Sequence, residues 1–308
     1  MKTISIVARC YNEAENIREL YDRVVAVMLP FKGIAWTLYL GDNGSTDATW
    51  KGIKHLAIFD PRVKGWRNAR NFGASRGGYS IFLNAPGDAV VGMASDLQDP
   101  PELIADFIRA WEAGADLTVG VKRRSHGIMR RIHYWLMGKL SDTPMIPNFI
   151  GFGLYSRTFM EALKRYGDST TYFRGVVSDV GMRRTEILFD QPPRKRGKTS
   201  NNFFTLYDAS MKGVVALSML PLRLATLAGF GMAALGLLIA VFYGVYKLLH
   251  WDTFTMGMAP VLMGMFLFSA VQLIVLGIVG EYIGAILMRV RDYPDTIVAE
   301  KVNWEKTP

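Results

Sequence analysis

Two long stretches without a charged side chain lie near the C-terminal end of the chain. One runs from Leu224 to Tyr246 over 23 residues, and the other from Thr253 to Gly280 over 28 residues. With a rise of about 1.5 Å per residue, either stretch as a helix is long enough to cross a hydrocarbon layer of about 30 Å. A pair of buried core helices is the alternative, which the length and closeness of the stretches disfavour. The pattern predicts a membrane hairpin with spans at about 224–246 and 257–280.

Basic residues flank this hairpin unevenly. Lys212 and Arg223 precede the first stretch and Arg289 and Arg291 follow the second, whereas the short connecting loop offers only Lys247. A hairpin puts both chain ends on one side of the membrane, and positively charged flanks favour the cytoplasmic side. The sequence therefore predicts a multi-pass protein with both termini and its N-terminal part in the cytoplasm.

Charge and cysteine content narrow the function classes. The chain has 36 Lys and Arg against 27 Asp and Glu, a net charge of +9, and a single cysteine, Cys10. One cysteine excludes an internal disulfide framework. A basic chain suggests an anionic partner such as nucleic acid, a phosphate-bearing substrate or a membrane surface. Nucleic acid is disfavoured because no recognition motif is present and the lipid bilayer accounts for much of the positive charge.

Strands and helices alternate over about the first 200 residues. A helix is predicted over 13–28 and another over about 101–113, and Ser45 is a plausible helix N-cap. Short apolar runs predict strands at 4–8, 36–40, 89–94 and 116–121. This alternation is typical of an α/β domain with a mostly parallel sheet.

Polar residues follow three of these predicted strands, where ligands bind in open α/β sheets. They are Tyr11, Asn12 and Glu13 after the first, Asp42 after the second, and Asp96, Gln98 and Asp99 after the third. Hard oxygen ligands of this kind suit Mg²⁺ or Mn²⁺, which in turn hold a diphosphate. Dinucleotide redox and P-loop chemistry are disfavoured because neither glycine-rich motif is present.

The motifs together resemble a known family. They occupy residues 11–16, 42–47, 70–73, 96–102, 172–175 and 279–284. The chain resembles family 2 glycosyltransferases of the GT-A fold over nearly its whole length. More narrowly, it resembles the membrane-anchored polyprenyl-phosphate glycosyltransferases, which include dolichol-phosphate mannose synthase and the bactoprenol glucosyltransferases.

The resemblance implies a domain organisation. A cytoplasmic GT-A domain, Rossmann-like with a mostly parallel sheet, is expected over residues 1–204. An interfacial helix over 205–222 leads into the transmembrane hairpin over 223–289, and a cytoplasmic tail over 290–308 follows. For the segment before the hairpin, a plain linker helix is an equal alternative.

The resemblance also implies roles for individual residues. The donor-binding residues are expected to be Tyr11, Glu13, Asp42, Arg70, Asp96, Arg194 and Lys198. The residues expected to hold Mg²⁺ or Mn²⁺ are Asp96 and Gln98. Those expected at the acceptor phosphate are Lys122 and Arg131, with a solvated face attracted to anionic lipid as the alternative for their cluster. The expected catalytic residues are Asp96 and Asp179, the latter with a structural or capping role as its alternative.

Four positions depart from the family pattern. Ala94 stands where relatives usually have the first Asp of an Asp-x-Asp motif, and Arg9 stands where they usually have Pro. Gly151 and Gly153 stand where many relatives have Asp and Arg, of which the Asp is a proposed catalytic base. A phosphate acceptor is already largely ionised near neutral pH, since its second pKa is about 6, so it depends more on positioning and charge neutralisation than on a base.

The predicted function is inverting, metal-dependent transfer of a sugar from a nucleotide sugar, expected to be UDP-linked, to polyprenyl (undecaprenyl) phosphate. The reaction is placed at the cytoplasmic face of the bacterial inner membrane, in cell-envelope glycan or lipid modification. Relatives suggest a homo-oligomer such as a tetramer. The alternatives are a catalytically degenerate scaffold that binds nucleotide sugar or lipid, which Ala94, Gly151 and Gly153 suggest, and a processive polysaccharide synthase. The synthase is disfavoured because only two spans are available to form a polymer channel and no Gln-x-x-Arg-Trp motif for holding a growing chain is present.

Overall fold

A computed structural model describes residues 1–73, 76–123, 145–166, 173–193, 215, 218–250, 258–290, 294 and 296–304. The chain forms two compact units. The first comprises Met1–Gly213 together with Asp292–Pro308, and the second comprises Val214–Arg291. Most of the predicted interfacial segment, 205–222, lies outside the described residues.

The first unit is built on an eight-stranded sheet, within the described residues. Its strand order is β7-β5-β6-β4-β1-β2-β3-β8, and β3–β8, β4–β6 and β5–β6 are its antiparallel pairs. The strands are β1 (Lys2–Cys10), β2 (Ile34–Asp42), β3 (Val63–Asn68), β4 (Ala89–Ala94), β5 (Leu117–Lys122), β6 (Phe149–Ser156), β7 (Arg184–Phe189) and β8 (Val298–Val302). The predicted mostly parallel α/β architecture is confirmed.

Helices cover both faces of this sheet. They are α1 (Ala14–Met28), α2 (Thr49–Phe59), α3 (Arg76–Asn84), α4 (Ile104–Glu112, after a 3₁₀ turn at Pro101–Leu103), α5 (Arg157–Arg165) and α6 (Phe173–Asp179). Side chains alternate along β1, so that Ile4 and Ile6 join a core with α1, α2 and α4. Val7 joins a second core with α3, α5 and α6. Burial on both faces explains why β1 is an almost continuous apolar run.

The predicted strands and helices are confirmed to within two residues at their ends, apart from a 3₁₀ turn before α4, whereas one predicted cap is wrong. The predicted strand at 89–94 matches β4, and the helix at 13–28 matches α1 to within a residue. Ser45 is not a helix N-cap, because α2 begins at Thr49 with Ala48 in the cap position. The Ser45 hydroxyl instead accepts a hydrogen bond from the Asn12 N–H at 2.9 Å. It therefore joins two loops at the edge of the sheet.

The chain after the second apolar stretch supplies an edge strand that the sequence did not predict. β8 pairs antiparallel with β3. Trp304 then packs edge-on against Tyr39 and Trp66, with ring centroids 5.3 and 5.7 Å away. The side-chain amide of Asn303 donates to the carbonyls of Ala57 and Val63 at 2.6 and 3.0 Å. The segment predicted as a tail therefore contributes a strand and an aromatic cluster to the first unit.

The second unit consists of two long helices in its described part, α7 (Leu220–Leu249) and α8 (Met258–Val290). Both are long and apolar enough to cross a membrane. They contact each other, since a Cβ on Gly236 would lie 3.3 Å from the Phe268 ring. The Tyr282 hydroxyl donates to the Ser218 carbonyl at 2.6 Å. Their large apolar side chains are mostly exposed, such as Phe266 at 75%, which indicates association with a membrane.

Candidate functional site

Three strands bring the candidate residues to one edge of the sheet. β1 lies between β2 and β4 and is parallel to both, with Cys10 opposite Asp42 and Arg9 opposite Ala94. The loops that leave these strands turn sharply, with positive φ at Asn12 (55°) and Leu97 (61°). Parallel strands end at the same edge, so the polar segments after β1, β2 and β4 are neighbours as the sequence predicted.

Asp42 has a buried carboxylate, one oxygen of which accepts no hydrogen bond from the described residues. Its side chain has no solvent exposure, and Oδ1 accepts the Ser45 N–H at 2.9 Å. Arg67 Nε lies 3.4 Å from Oδ2, which has no hydrogen-bond partner within the described residues. Burial raises the pKa of Asp42, while Ser45 and Arg67 act against that rise. A buried acceptor without a partner is costly unless a ligand N–H fills it.

Tyr11 and Glu13 lie in the loop after β1 but differ in exposure. Tyr11 is 38% exposed, whereas Glu13 is buried. The Asn16 side-chain amide donates to Glu13 Oε2 at 2.6 Å, and the Glu13 N–H donates to Thr49 Oγ1 at 2.9 Å. Tyr11 therefore offers a ring to a ligand, while Glu13 fixes the start of α1 against α2.

A buried asparagine of the 42–47 motif, for which the sequence predicted no separate role, organises the loop that carries Arg70. Asn43 Nδ2 donates to Asn71 Oδ1 at 2.8 Å, and Asn43 Oδ1 accepts from the side chain of Asn68 at 3.0 Å. The helix α3 approaches so closely that a Cβ on Gly77 would collide with Asn43. Arg70 itself lies over the Phe72 ring at 4.2 Å. The signal in the sequence was the Gly77-Gly78 pair, which permits this approach.

Asp96 and Gln98 lie after β4 with oxygen atoms suited to a hard cation. Asp96 is partly exposed, and its Oδ1 accepts the Gln98 N–H at 3.2 Å. Gln98 Nε2 lies 3.5 Å from the Pro192 carbonyl. Among the residues that the structure describes, no three His, Cys, Asp or Glu side chains form a metal cluster. One carboxylate and one amide oxygen fit Mg²⁺ or Mn²⁺ when substrate phosphates and water complete the shell.

The neighbouring Asp99 is almost fully buried beneath this loop. Its Oδ2 accepts the Ala94 N–H at 2.8 Å, which ties the loop back to β4. Burial raises the pKa of Asp99 to about 6, and the nearby Asp96 charge adds to that rise. Asp99 therefore has a structural position, with its charged form disfavoured.

Asp99→Asn is expected to stabilise the first unit near neutral pH. The carboxyl has a pKa of about 6 in the folded protein against 3.8 ordinarily. Its favourable contribution is complete below pH 3.8 and is lost as the pH rises through 6. The loss amounts to roughly 3 kcal/mol, which asparagine avoids while its amide oxygen still accepts the Ala94 N–H. Thermal unfolding at about pH 8 and about pH 4.5 checks this, because an equal gain at both values would contradict a charge effect.

Two glycines of β6 disfavour larger side chains, Gly151 through its backbone conformation and Gly153 through a close neighbour. Gly151 has a φ of +99°, in the left-handed region, and its carbonyl accepts the Tyr155 hydroxyl at 3.0 Å. A Cβ on Gly153 would lie 2.4 Å from the backbone oxygen of Thr118 in β5. Substituting either position therefore requires the backbone to move.

The structure describes only some of the remaining residues that were predicted to belong to the site. Asp179 is exposed at the end of α6, where it accepts the Tyr166 hydroxyl at 2.8 Å. Lys122 ends β5 and is half-buried. The other predicted basic residues lie outside the described residues, namely Arg131, Arg194 and Lys198.

Comparison with known proteins identifies relatives across the chain. The family model described as Glycosyl transferase family 2 matches residues 5–181. An uncharacterized glycosyltransferase of Synechocystis sp. is 30% identical, covering 99% of this chain and 97% of that protein. The SfII prophage-derived bactoprenol glucosyl transferase of Shigella flexneri is 32% identical, covering 96% and 97%.

Among solved structures, mannosyl-3-phosphoglycerate synthase from Rubrobacter xylanophilus superposes with a TM-score of 0.51. It is 16% identical and covers 70% of this chain and 72% of that chain. This likeness concerns the fold alone. It agrees with the sheet order and the helices on both faces, and the predicted GT-A fold class is confirmed.

Proposed function

Since the chain belongs to glycosyl transferase family 2, we propose that it transfers a sugar from a nucleotide donor to a polyprenyl phosphate. The observation that carries this proposal is one sheet edge that holds a buried acceptor at Asp42 after β2 and, after β4, the oxygen-bearing side chains of Asp96 and Gln98. The same chain has two exposed apolar helices suited to a membrane. A lipid-linked acceptor explains why a sugar-transfer domain carries such helices.

Asp42 supports a uridine donor. Its buried Oδ2 needs a hydrogen-bond donor, and the uracil ring offers one N–H in the plane of two carbonyls. The Arg67 guanidinium, 3.4 Å from the same oxygen, favours the charged form of the carboxylate against the effect of burial and can reach a uracil carbonyl. The exposed ring of Tyr11 is suited to pack against the base.

Asp96 and Gln98 support a divalent ion on the donor diphosphate. Bound Mg²⁺ or Mn²⁺ would neutralise the charge that develops on the leaving diphosphate. The two residues would orient the diphosphate, and their loop is held in place by the Asp99–Ala94 hydrogen bond. Gly151 supplies no carboxylate that could act as a base. Attack by the acceptor would therefore depend on the positioning of its phosphate, which is already ionised.

For the acceptor we propose a polyprenyl phosphate such as undecaprenyl phosphate, at the cytoplasmic face of a bacterial inner membrane. The SfII relative is named for bactoprenol, and basic residues flank α7 and α8 on their outer ends. Lys122, Arg131, Arg194 and Lys198 are proposed phosphate contacts, and Asp179 is the proposed assisting carboxylate. The proposal includes inversion at the anomeric carbon and a homo-oligomer such as a tetramer.

A second candidate is a non-catalytic scaffold that binds nucleotide sugar. The crowding around Gly153, whose Cβ would lie 2.4 Å from Thr118 O, favours it because the arginine that many relatives have at this position cannot be accommodated there. The first candidate retains the oxygen pair at Asp96, which a scaffold would not require.

Transfer from a panel of labelled nucleotide sugars into organic-extractable lipid tests the proposal. The full-length protein in detergent receives undecaprenyl phosphate with Mg²⁺ or Mn²⁺, and EDTA serves as the control. We expect one UDP-sugar to yield a glycolipid bearing a single sugar, only when the metal is present. Nucleotide binding without transfer from any donor would favour the scaffold, and a ladder of products would favour a polymerising enzyme.

A further inference from the structure

Arg9 occupies a gap among small residues at the carboxyl end of β1. Its neighbours across the sheet are Gly41 in β2 and Ala94 in β4. On the α3 side, a Cβ on Gly78 would lie 2.7 Å from Arg9 Cδ. Paired residues of parallel strands point to the same face, so the long Arg9 side chain lies beside a methyl group and two glycines.

The Arg9 side chain is charged and lies among protein atoms while it remains open to solvent. Its side chain is exposed to solvent. The protein around it nevertheless lowers the pKa of Arg9 through burial, while Asp99 and Asp96 act in the opposite direction. Guanidinium groups stay charged throughout the working range of pH. The positive charge therefore lies at the same sheet edge as Asp96.

We propose that Arg9 contacts the diphosphate of the nucleotide donor. Ala94, which is paired with Arg9 across the sheet, carries no charge. This inference rests on the proposed function and assigns a donor-binding residue to it. Ala94 lies two positions before Asp96 in the same segment, so an anion held near Asp96 is within the span of an arginine side chain anchored on the neighbouring strand.

The chemistry of the side chain favours a diphosphate. A guanidinium offers a fork of N–H donors that matches two phosphate oxygens, and hydrogen bonds between charged partners are about twice as strong as neutral ones. A fixed positive charge at this position also reduces the need for a cation to bind the nucleotide. Arg9 thus permits a nucleoside diphosphate to bind without metal, even where transfer requires the metal.

Calorimetric titration of the full-length protein in detergent with UDP and with uridine tests the proposal in EDTA. Arg9→Met keeps an unbranched side chain, although a shorter one, and removes the charge. We expect it to weaken UDP binding by about tenfold or more, since hydrogen bonds between charged groups are lost. Uridine binding should stay within about twofold because uridine lacks the diphosphate. Arg9→Lys is expected to retain part of the UDP affinity.

Arg18→Met is the matched control, since the Arg18 side chain is 70% exposed on α1, where it pairs with its helix neighbour Asp22 and lies over the ring of Tyr21. Equal UDP affinity in wild type and Arg9→Met would overturn the proposal, as would a parallel loss of UDP and uridine binding, which indicates a structural role. Ala94→Asp is a second variant, which should weaken UDP binding in EDTA by neutralising Arg9.

The two proposals fail separately in these measurements. If Arg9→Met weakens UDP binding but no donor yields a glycolipid, the Arg9 contact stands and the transfer reaction does not. If a UDP-sugar yields glycolipid and Arg9→Met binds UDP normally, the transfer stands and the Arg9 contact is wrong. Absence of UDP binding by the wild-type protein overturns the Arg9 contact directly.

Discussion

Asp96→Ala is expected to lower sugar transfer to lipid by about a hundredfold or more. Asp96 supplies the one carboxylate of the proposed oxygen pair, and its Oδ1 also fixes the loop through the Gln98 N–H. Removing one group that stabilises developing charge typically costs a factor of 10² to 10³, about 3–4 kcal/mol. Ala94, which is paired with Arg9 across the sheet, offers no second carboxylate that could replace the lost ligand.

Rates of glycolipid formation at saturating Mn²⁺ measure this effect. Asp96 is partly exposed and has no large apolar packing to lose, so the melting temperature should stay close to that of the wild type. Asp106→Ala is the control, because the Asp106 side chain is 47% exposed on α4 and forms an ion pair with Arg109. Full activity of Asp96→Ala would contradict the proposed metal contact and with it the assigned role of this edge.

The sequence predicted those strands and helices that are defined by residues close together along the chain. β1, β2 and β4 are apolar runs that end in polar loops, so their place at the site could be read directly. The apolar stretches could likewise be read as α7 and α8 from length alone. These features depend on the composition of short segments, so they can be recognised from the sequence.

Features that depend on contacts between residues far apart in the sequence were not predicted. Ser45 is a good cap residue, but tertiary contacts with Asn12 and Asp42 use it instead. β8 is a short segment of mixed polarity, and only its pairing with β3 makes it a strand. The roles of Gly78 and Gly153 depend on the close approach of Arg9 and Thr118, respectively, which no spacing reveals.

Ending the chain before Thr296 is expected to destabilise the first unit strongly, although it removes only a terminal segment. The deletion takes away β8, exposing the backbone edge of β3, and removes Trp304 from its aromatic partners. Val302 also leaves a tight contact with Gly65 and the residues around it. At about 1.5–3 kcal/mol for each large apolar side chain, the loss is about 4 kcal/mol. The melting temperature should fall by about 10 °C.

The same deletion should weaken nucleotide binding before it unfolds the protein. Glu300 lies 3.3 Å from Arg67 Nη1, and Arg67 Nε lies 3.4 Å from Asp42 Oδ2. Without Glu300, Arg67 loses a partner that holds it beside the proposed base pocket. Thermal melting and UDP titration at low temperature separate the two effects, and a chain ending at Trp304 is the control because it keeps the strand. Normal melting and normal UDP affinity in the shorter chain would show that β8 is dispensable. Loss of both would make the segment after the membrane helices part of the donor site's framework.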